Sequence, residues 1–299
     1  MRYAVILCAI CAFFAACAKN EDTASDGKLS VFVGIPPIAE FVERVGGEYV
    51  TVGVLVGPGQ SPHVFEPTPR LMAALSRARI YFSIGLPFEE RIIEKIAPTY
   101  PGLAFVDASE SVERRSMKEH EDGEEHETQD NDDAHDDGEL DPHIWMSPLL
   151  AKDIAANICE GLIAADPANA DAYRANLEVF QQELDAVHER IAKQLAPLRG
   201  RTMMVFHPAF GYFADTYGMR QAAVETGGRE PTSRQLKQLI ERARREDVRV
   251  IFVQPQFPPK AAEAVAREIG GVVVQIDPLA RDYLENLERI ADEIERHIK

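Results

Sequence analysis

The sequence contains no basic stripe, and its net charge is −17 over 299 residues. Proteins that bind nucleic acid need clustered Lys and Arg to meet the phosphates, so this class is excluded. The negative charge is concentrated in one segment. Residues 118–141 hold thirteen acidic residues and one lysine, a net charge of −12, which leaves −5 for the remaining chain. We call this segment the acidic insert.

An apolar run long enough to span a bilayer is also missing from the N-terminus. Residues 3–16 are apolar and follow Arg2, but a spanning helix needs about 20 apolar residues. Residues 1–17 are therefore predicted to be an export signal, which places the mature protein in the periplasm or on the extracytoplasmic face of the membrane. The polar residues 18–28 read as a tether.

The predicted signal ends in Ala-Ala-Cys, with the cysteine at position 17. Small residues before a cysteine resemble a bacterial lipobox, which predicts a lipid anchor on Cys17. Ordinary cleavage near Ala16 or Ala18 is the alternative.

Cysteine is scarce, with four in the whole chain. Two of them belong to the predicted signal and Cys17 to the predicted anchor. Cys159 remains, in an apolar helical pattern, and is expected to be a buried and inert thiol. The fold is therefore expected to depend on its core rather than on disulfides.

From residue 29 onward, short apolar runs alternate with amphipathic stretches, a pattern that predicts an α/β fold with parallel sheets flanked by helices. The predicted strands are residues 29–34, 50–56, 79–84, 103–106, 202–206, 219–224, 248–253 and 272–276. The predicted helices are residues 38–45, 69–77, 88–96, 208–216, 233–245, 259–269 and 279–297.

One long helix is predicted over residues 169–198, which contain no glycine and a single proline near the end. At 1.5 Å per residue it would be about 45 Å long, a stiff strut that limits opening and closing. It divides the chain into an N-terminal lobe, residues 29–168, and a C-terminal lobe, residues 199–299.

Three residues that can bind metal stand at the ends of predicted strands. His63 lies in a turn-rich loop after one strand, whereas His207 and Asp277 directly follow two others. A lone histidine is more often structural or exposed. Open parallel sheets, however, bind ligands at the carboxyl ends of their strands, and this placement favours a functional role.

The other candidate histidines have weaker support from the residues themselves. His143 is a loop histidine before a helix. The remaining three lie in the acidic insert, where weak capture of divalent metal and a self-repelling disordered loop are compatible interpretations. These three are His120, His126 and His135.

Six stretches, taken together and in order, resemble the solute-binding proteins of bacterial zinc and manganese ABC importers, the ZnuA/TroA-like family (cluster A-I). They are PHVFEPT at 62–68, DPHIW at 141–145, FHPAFGYF at 206–213, EPT at 230–232, FVQPQF at 252–257 and DPL at 277–279. The resemblance implies two α/β lobes bridged by a long helix, with metal in the cleft between them. It implies His63, His143 and His207 as ligands, with Asp277 as the carboxylate.

Several residues depart from the family pattern. Ser61 and Ser147 replace common acidic residues, and Pro62 stands where some zinc members have a glutamate. The fourth ligand is therefore expected to be Asp277 or a water. The cysteine pair that some members carry in the C-terminal lobe is absent.

The metal is expected to be Zn²⁺. In this family, manganese-type members generally carry a carboxylate where His207 stands, and a His-rich acidic insert is typical of zinc-specific members. Zn²⁺ also suits three imidazoles in a tetrahedron, whereas Mn²⁺ prefers more oxygen ligands.

The expected function is capture of Zn²⁺ outside the cytoplasmic membrane, as a monomer without enzymatic activity. The expected partners are an ABC permease with its cytoplasmic ATPase, and the membrane through a lipid anchor. Three alternatives remain: a manganese or iron importer component, an exported zinc hydrolase, and a surface adhesion lipoprotein. Against a hydrolase, the chain has no His-Glu-x-x-His motif.

Overall fold

The computed structural model describes residues 27–117, 140–225 and 232–298. The predicted signal, Cys17 and most of the tether lie outside the described residues. So do His120, His126 and His135 of the acidic insert.

The first half of the described chain forms a four-stranded parallel sheet in the order β2-β1-β3-β4. Helices α1, α2 and α3 connect the strands, and each has a proline in its first turn, where the missing N–H costs nothing. The strands are β1 (Leu29–Val33), β2 (Val50–Val54), β3 (Ile80–Ser83) and β4 (Ala104–Asp107), and the helices are α1 (Pro36–Gly46), α2 (Pro69–Leu75) and α3 (Pro87–Ile96).

Two helices follow, α4 (Pro148–Ala165) and α5 (Ala170–Leu195). The predicted long helix is confirmed: α5 runs for 26 residues, or about 39 Å, with a short 3₁₀ turn at each end. It packs against α1, α4 and the last helix of the described chain. Within the described ranges, no helix combines the length and the apolarity needed to cross a membrane.

The second half repeats the first, with a parallel sheet in the order β6-β5-β7-β8. Residues of β5 and β7 are buried throughout, as strands covered on both faces should be. The strands are β5 (Thr202–Val205), β6 (Arg220–Ala223), β7 (Val250–Val253) and β8 (Val272–Gln275), and the helices are α6 (Gly211–Thr216), α7 (Ser233–Arg245), α8 (Lys260–Ile269) and α9 (Tyr283–His297). The predicted fold class of two α/β lobes joined by a long helix is confirmed.

A smaller cluster of buried residues lies within the C-terminal lobe, whereas the main hydrophobic core is shared by the two lobes and includes residues of both sheets and of α5. At its centre the Trp145 ring N–H donates to Pro278 O at 2.8 Å, and the Tyr283 hydroxyl donates to Trp145 O at 2.6 Å. The Tyr283 ring also packs edge-on against Phe41, with 4.7 Å between centroids. These buried contacts cross from one lobe to the other and make the connection stiff.

Candidate metal centre

The carboxyl ends of the two sheets supply two of the predicted ligands. His63 lies in the 3₁₀ turn Pro62–Val64 after β2, and the Ser61 side chain accepts a hydrogen bond from its backbone N–H. His207 follows β5 by two residues. His143 comes from the segment before α4, at the start of the 3₁₀ turn Ile144–Met146. The loops after the strands therefore bring residues that are distant in sequence to one place.

The three histidines converge on one point. His207 Nε2 lies 3.1 Å from His63 Nε2 and 3.4 Å from His143 Nε2. One ligand nitrogen from each residue can be chosen so that all three lie within 4.8 Å of one another. Zn–N bonds of about 2.0–2.1 Å in a tetrahedron separate the nitrogens by about 3.3–3.4 Å. The spacing therefore fits a single tetrahedral metal ion.

Two buried carboxylates orient two of the rings. Asp141 Oδ1 lies 2.7 Å from His143 Nδ1, and Glu225 Oε2 lies 2.9 Å from His207 Nδ1. An ionised carboxylate can only accept, so each Nδ1 carries the proton and each Nε2 presents its lone pair to the cleft. Carboxylate–histidine–metal pairing of this kind fixes the ring and raises its basicity.

His207 is held by its backbone as well. The Gln254 side chain, directly after β7, donates to His207 O at 2.7 Å and accepts from His207 N at 3.2 Å. The Phe257 ring stacks on the imidazole with 4.9 Å between centroids. The ring position is therefore set from several sides before any metal arrives.

Burial favours the neutral form of two of the imidazoles, His207 and His63. It lowers the pKa of His207, although the hydrogen bond to Glu225 opposes the shift. At His63, desolvation of the ring, followed by the nearby His207 and His143, lowers the pKa to about 4. Neutral imidazole is the form that binds metal. His143 and His207 are each 5% exposed, whereas His63 is an exposed residue, so the site opens to solvent on the His63 side.

Asp277 lies apart from this group. In the described part of the chain, the cluster of potential ligand atoms within 4.8 Å consists of the three histidines. Asp277 Oδ1 instead accepts hydrogen bonds from the Gln256 side chain at 2.8 Å and from Leu279 N at 2.9 Å. Its role as the fourth ligand stays a prediction.

Reasoning from the sequence missed the orienting residues. Glu225 and Gln254 lie just past the ends of β6 and β7, so the rule that selected His207 could also have selected them. Asp141 stands two residues before His143, and its Oδ1 also accepts from His143 N at 3.0 Å. That spacing is typical of a side chain closing a local turn.

A cleft lies in front of the histidines. Most of its wall is apolar, with Leu86, Phe88, Trp145 and Phe257 among the lining residues. Two stiffly joined α/β lobes with three converging imidazoles in such a cleft define the class of metal-binding receptors.

Comparison with known proteins identifies the family. Residues 31–297 match the family model ZnuA, described as zinc-uptake complex component A, periplasmic. The chain therefore belongs to the ZnuA family, which is a family of uptake components and not of enzymes.

The chain is 30% identical over 266 residues to the high-affinity zinc uptake system protein ZnuA of Yersinia pestis, covering 84% of this chain and 83% of that protein. It is 25% identical over 287 residues to the zinc-binding lipoprotein AdcA of Streptococcus pneumoniae, covering 93% of this chain but 55% of that longer protein. It also resembles the crystal structure of a zinc-bound deletion mutant of ZnuA, with a TM-score of 0.81 and 37% identity over 90% of this chain and 98% of that one.

Proposed function

We propose that this protein captures Zn²⁺ outside the cytoplasmic membrane on His63, His143 and His207 and delivers it to the permease of an ABC importer. The observation that carries the proposal is the convergence of three Nε2 atoms, with neighbours at 3.1 and 3.4 Å. Relatives named as zinc-uptake proteins support the same metal.

The ligand chemistry favours zinc over manganese. Three nitrogen ligands suit borderline-soft Zn²⁺, whereas Mn²⁺ prefers oxygen and stands lower in the affinity order. The charges also balance, because the carboxylates of Asp141 and Glu225 together offset the two positive charges of the ion. The fourth position is left to water or, after rearrangement, to Asp277.

Access and delivery follow from the burial of the ligands. Zn²⁺ would meet the exposed His63 first and then be enclosed by His143 and His207. Because the lobes share a core, we place release in local movement of the His63 loop rather than in wide separation of the lobes.

We assign no turnover chemistry to the site, since the two carboxylates beside it are both bound to imidazole Nδ1 atoms. We also propose that the protein is anchored through Cys17 and binds zinc as a monomer. The two proposed lobes span residues 29–168 and 199–299.

Calorimetric titration of two variants tests the proposal. His207→Ala is expected to weaken zinc binding far more than deletion of residues 118–139, because the primary site uses the cleft. Equal losses would show that the acidic insert holds the primary site. Unchanged binding in His207→Ala would exclude the cleft altogether.

A further inference from the structure

Arg115 lies three residues before the acidic insert and contacts residues of both lobes. Ser116, the next residue, forms an isolated antiparallel bridge with Leu140, and Asp141 N donates to Arg115 O at 2.9 Å. The described residues on either side of 118–139 therefore meet beside Asp141, which is the carboxylate that orients His143.

The Arg115 side chain is 8% exposed and is enclosed by two carboxylates and an aromatic ring. Both contacts are ion pairs rather than hydrogen bonds: Nη1 lies 2.9 Å from Asp215 Oδ2 on α6, and Nε lies 3.9 Å from Asp141 Oδ2. The guanidinium carbon lies 5.9 Å from the centre of the Tyr212 ring. The Arg115 guanidinium therefore connects Asp141, the carboxylate that contacts His143, to helix α6 of the C-terminal lobe.

Tyr212 completes this connection through its hydroxyl. Arg115 N donates to the hydroxyl at 3.1 Å, and the hydroxyl donates to Asp141 O at 2.9 Å. Gly211 leaves the space that the group needs. A Cβ at that position would collide with Arg115 Nη1 and would lie 2.7 Å from Asp141 Oδ2.

We propose that Arg115 is a positioning residue for the metal site: its guanidinium fixes Asp141, and through Asp141 the ring of His143, against the C-terminal lobe that carries His207. This inference rests on the proposed function, because it concerns the geometry of the same site. Arg115 itself does not touch the metal. It sets the distance between two ligands that reach the site from different parts of the chain.

Two measurements test the positioning role of Arg115. Zinc affinity is measured by competition with a chromogenic chelator, and thermal stability is measured on the metal-free protein. Arg115→Met is expected to weaken zinc binding at least fivefold, but by less than the roughly 10- to 100-fold expected for loss of Asp141, the carboxylate bonded to the ligand itself. Arg115→Lys should restore part of the loss. In a protein that already carries Asp141→Asn, Arg115→Met should weaken zinc binding by less than a further factor of about three, because Arg115 acts through Asp141.

Arg114→Met is the matched control. The Arg114 guanidinium donates to Ile84 O at 2.9 Å and to Ser109 Oγ at 2.8 Å, both within the N-terminal lobe. Its loss should lower thermal stability and leave zinc affinity within about threefold of the wild type. Equal losses of affinity in the two variants, or an unchanged affinity in Arg115→Met, would overturn the proposal.

Two further variants keep the result decisive. If Arg115→Met does not fold, Asp215→Asn is used instead, because it removes the ion-pair partner of Arg115 on α6. Zinc affinity at least threefold weaker in Asp215→Asn supports the positioning role of Arg115. Unchanged zinc affinity overturns it. His143→Ala separates this inference from the proposed function. Unchanged zinc affinity in His143→Ala contradicts the proposed function, whereas a loss there with none in Arg115→Met contradicts the positioning role alone.

Discussion

Glu225 Oε2 lies 2.9 Å from Nδ1 of His207, and both side chains are buried at the ends of neighbouring strands. The carboxylate fixes which nitrogen carries the proton, so Nε2 faces the cleft without one. In the proposed metal site, the orientation of His207 therefore depends on a residue outside the ligand set.

Glu225→Ala is expected to weaken zinc binding about 10- to 100-fold, because the His207 ring loses the partner that fixes its orientation and tautomer. Glu225→Gln keeps an oxygen that can accept from Nδ1 and should lose less. Chelator competition measures both. Glu241→Gln, an exposed change on α7, is the control and should bind zinc as the wild type does. An undiminished affinity in Glu225→Ala would show that the ring is positioned by other contacts.

The pH dependence of zinc binding should be shallow. Burial lowers the pKa of His207, and burial together with the other imidazoles lowers the pKa of His63 to about 4. A histidine with a lowered pKa stays neutral to lower pH, so these two rings should lose less metal affinity on acidification than unperturbed imidazoles would. Three imidazoles with a pKa of about 6.5 would lose roughly 1,000-fold in affinity between pH 7.5 and 5.5.

We expect a loss well under 100-fold over that interval in titrations at constant ionic strength. A loss near 1,000-fold would contradict the lowered values. His63→Ala should bind zinc more weakly than the wild type at every pH. Between pH 7.5 and 5.5 its zinc affinity should fall no more steeply than that of the wild type.

Glu89 is expected to make stability depend on pH. The side chain is fully buried at the start of α3 and accepts hydrogen bonds from Tyr81 Oη, Ile84 N and Leu86 N at 2.8–3.0 Å. Burial raises its pKa to about 7, although these hydrogen bonds oppose the shift. Because the folded protein holds this proton more tightly than the unfolded chain, the stability gained is present below about pH 4.5 and is lost as the pH rises to 7.

The wild type should therefore lose roughly 2–3 kcal/mol of unfolding free energy between pH 5 and 8 relative to Glu89→Gln, which does not titrate. Denaturant titrations of metal-free protein at both pH values measure the difference. Parallel pH curves for the two proteins would mean that folding does not raise the pKa of Glu89.

The shared core predicts cooperative unfolding of the two lobes. Tyr283→Phe removes the hydroxyl that donates to Trp145 O and leaves that buried carbonyl without this donor, at a cost of about 1–3 kcal/mol. Tyr283→Ala also removes the ring that packs on Phe41 and should cost about 3–5 kcal/mol. Calorimetry should show a single transition for the wild type and for Tyr283→Phe. Two separate transitions in the wild type would contradict a common core.

The periodicity of the chain was enough to predict all eight strands of the described residues and the long helix α5. Apolar runs with β-branched residues and a stretch without glycine are local signals. The site was predictable in part. His63 and His207 stand at strand ends, but His143 has no such position, and only the family resemblance selected it.

The remaining parts of the site depend on contacts between residues distant in sequence. The pairing of His207 with Glu225 follows from β5 and β6 lying side by side, and that order cannot be read from periodicity. The link from Arg115 to Asp215 crosses between the lobes. Asp277 shows the limit of the strand-end rule, because it follows a strand yet lies outside the histidine group in the described structure.

Metal content and competition between Zn²⁺ and Mn²⁺, measured on protein lacking residues 118–139, test the central claim most directly. Without the insert, the cleft is the site that remains to be measured. We expect one Zn²⁺ per chain and at least 100-fold weaker binding of Mn²⁺, as three nitrogen ligands and the affinity order require. Loss of tight zinc binding, or equal affinity for the two metals, would contradict a zinc site built on His63, His143 and His207.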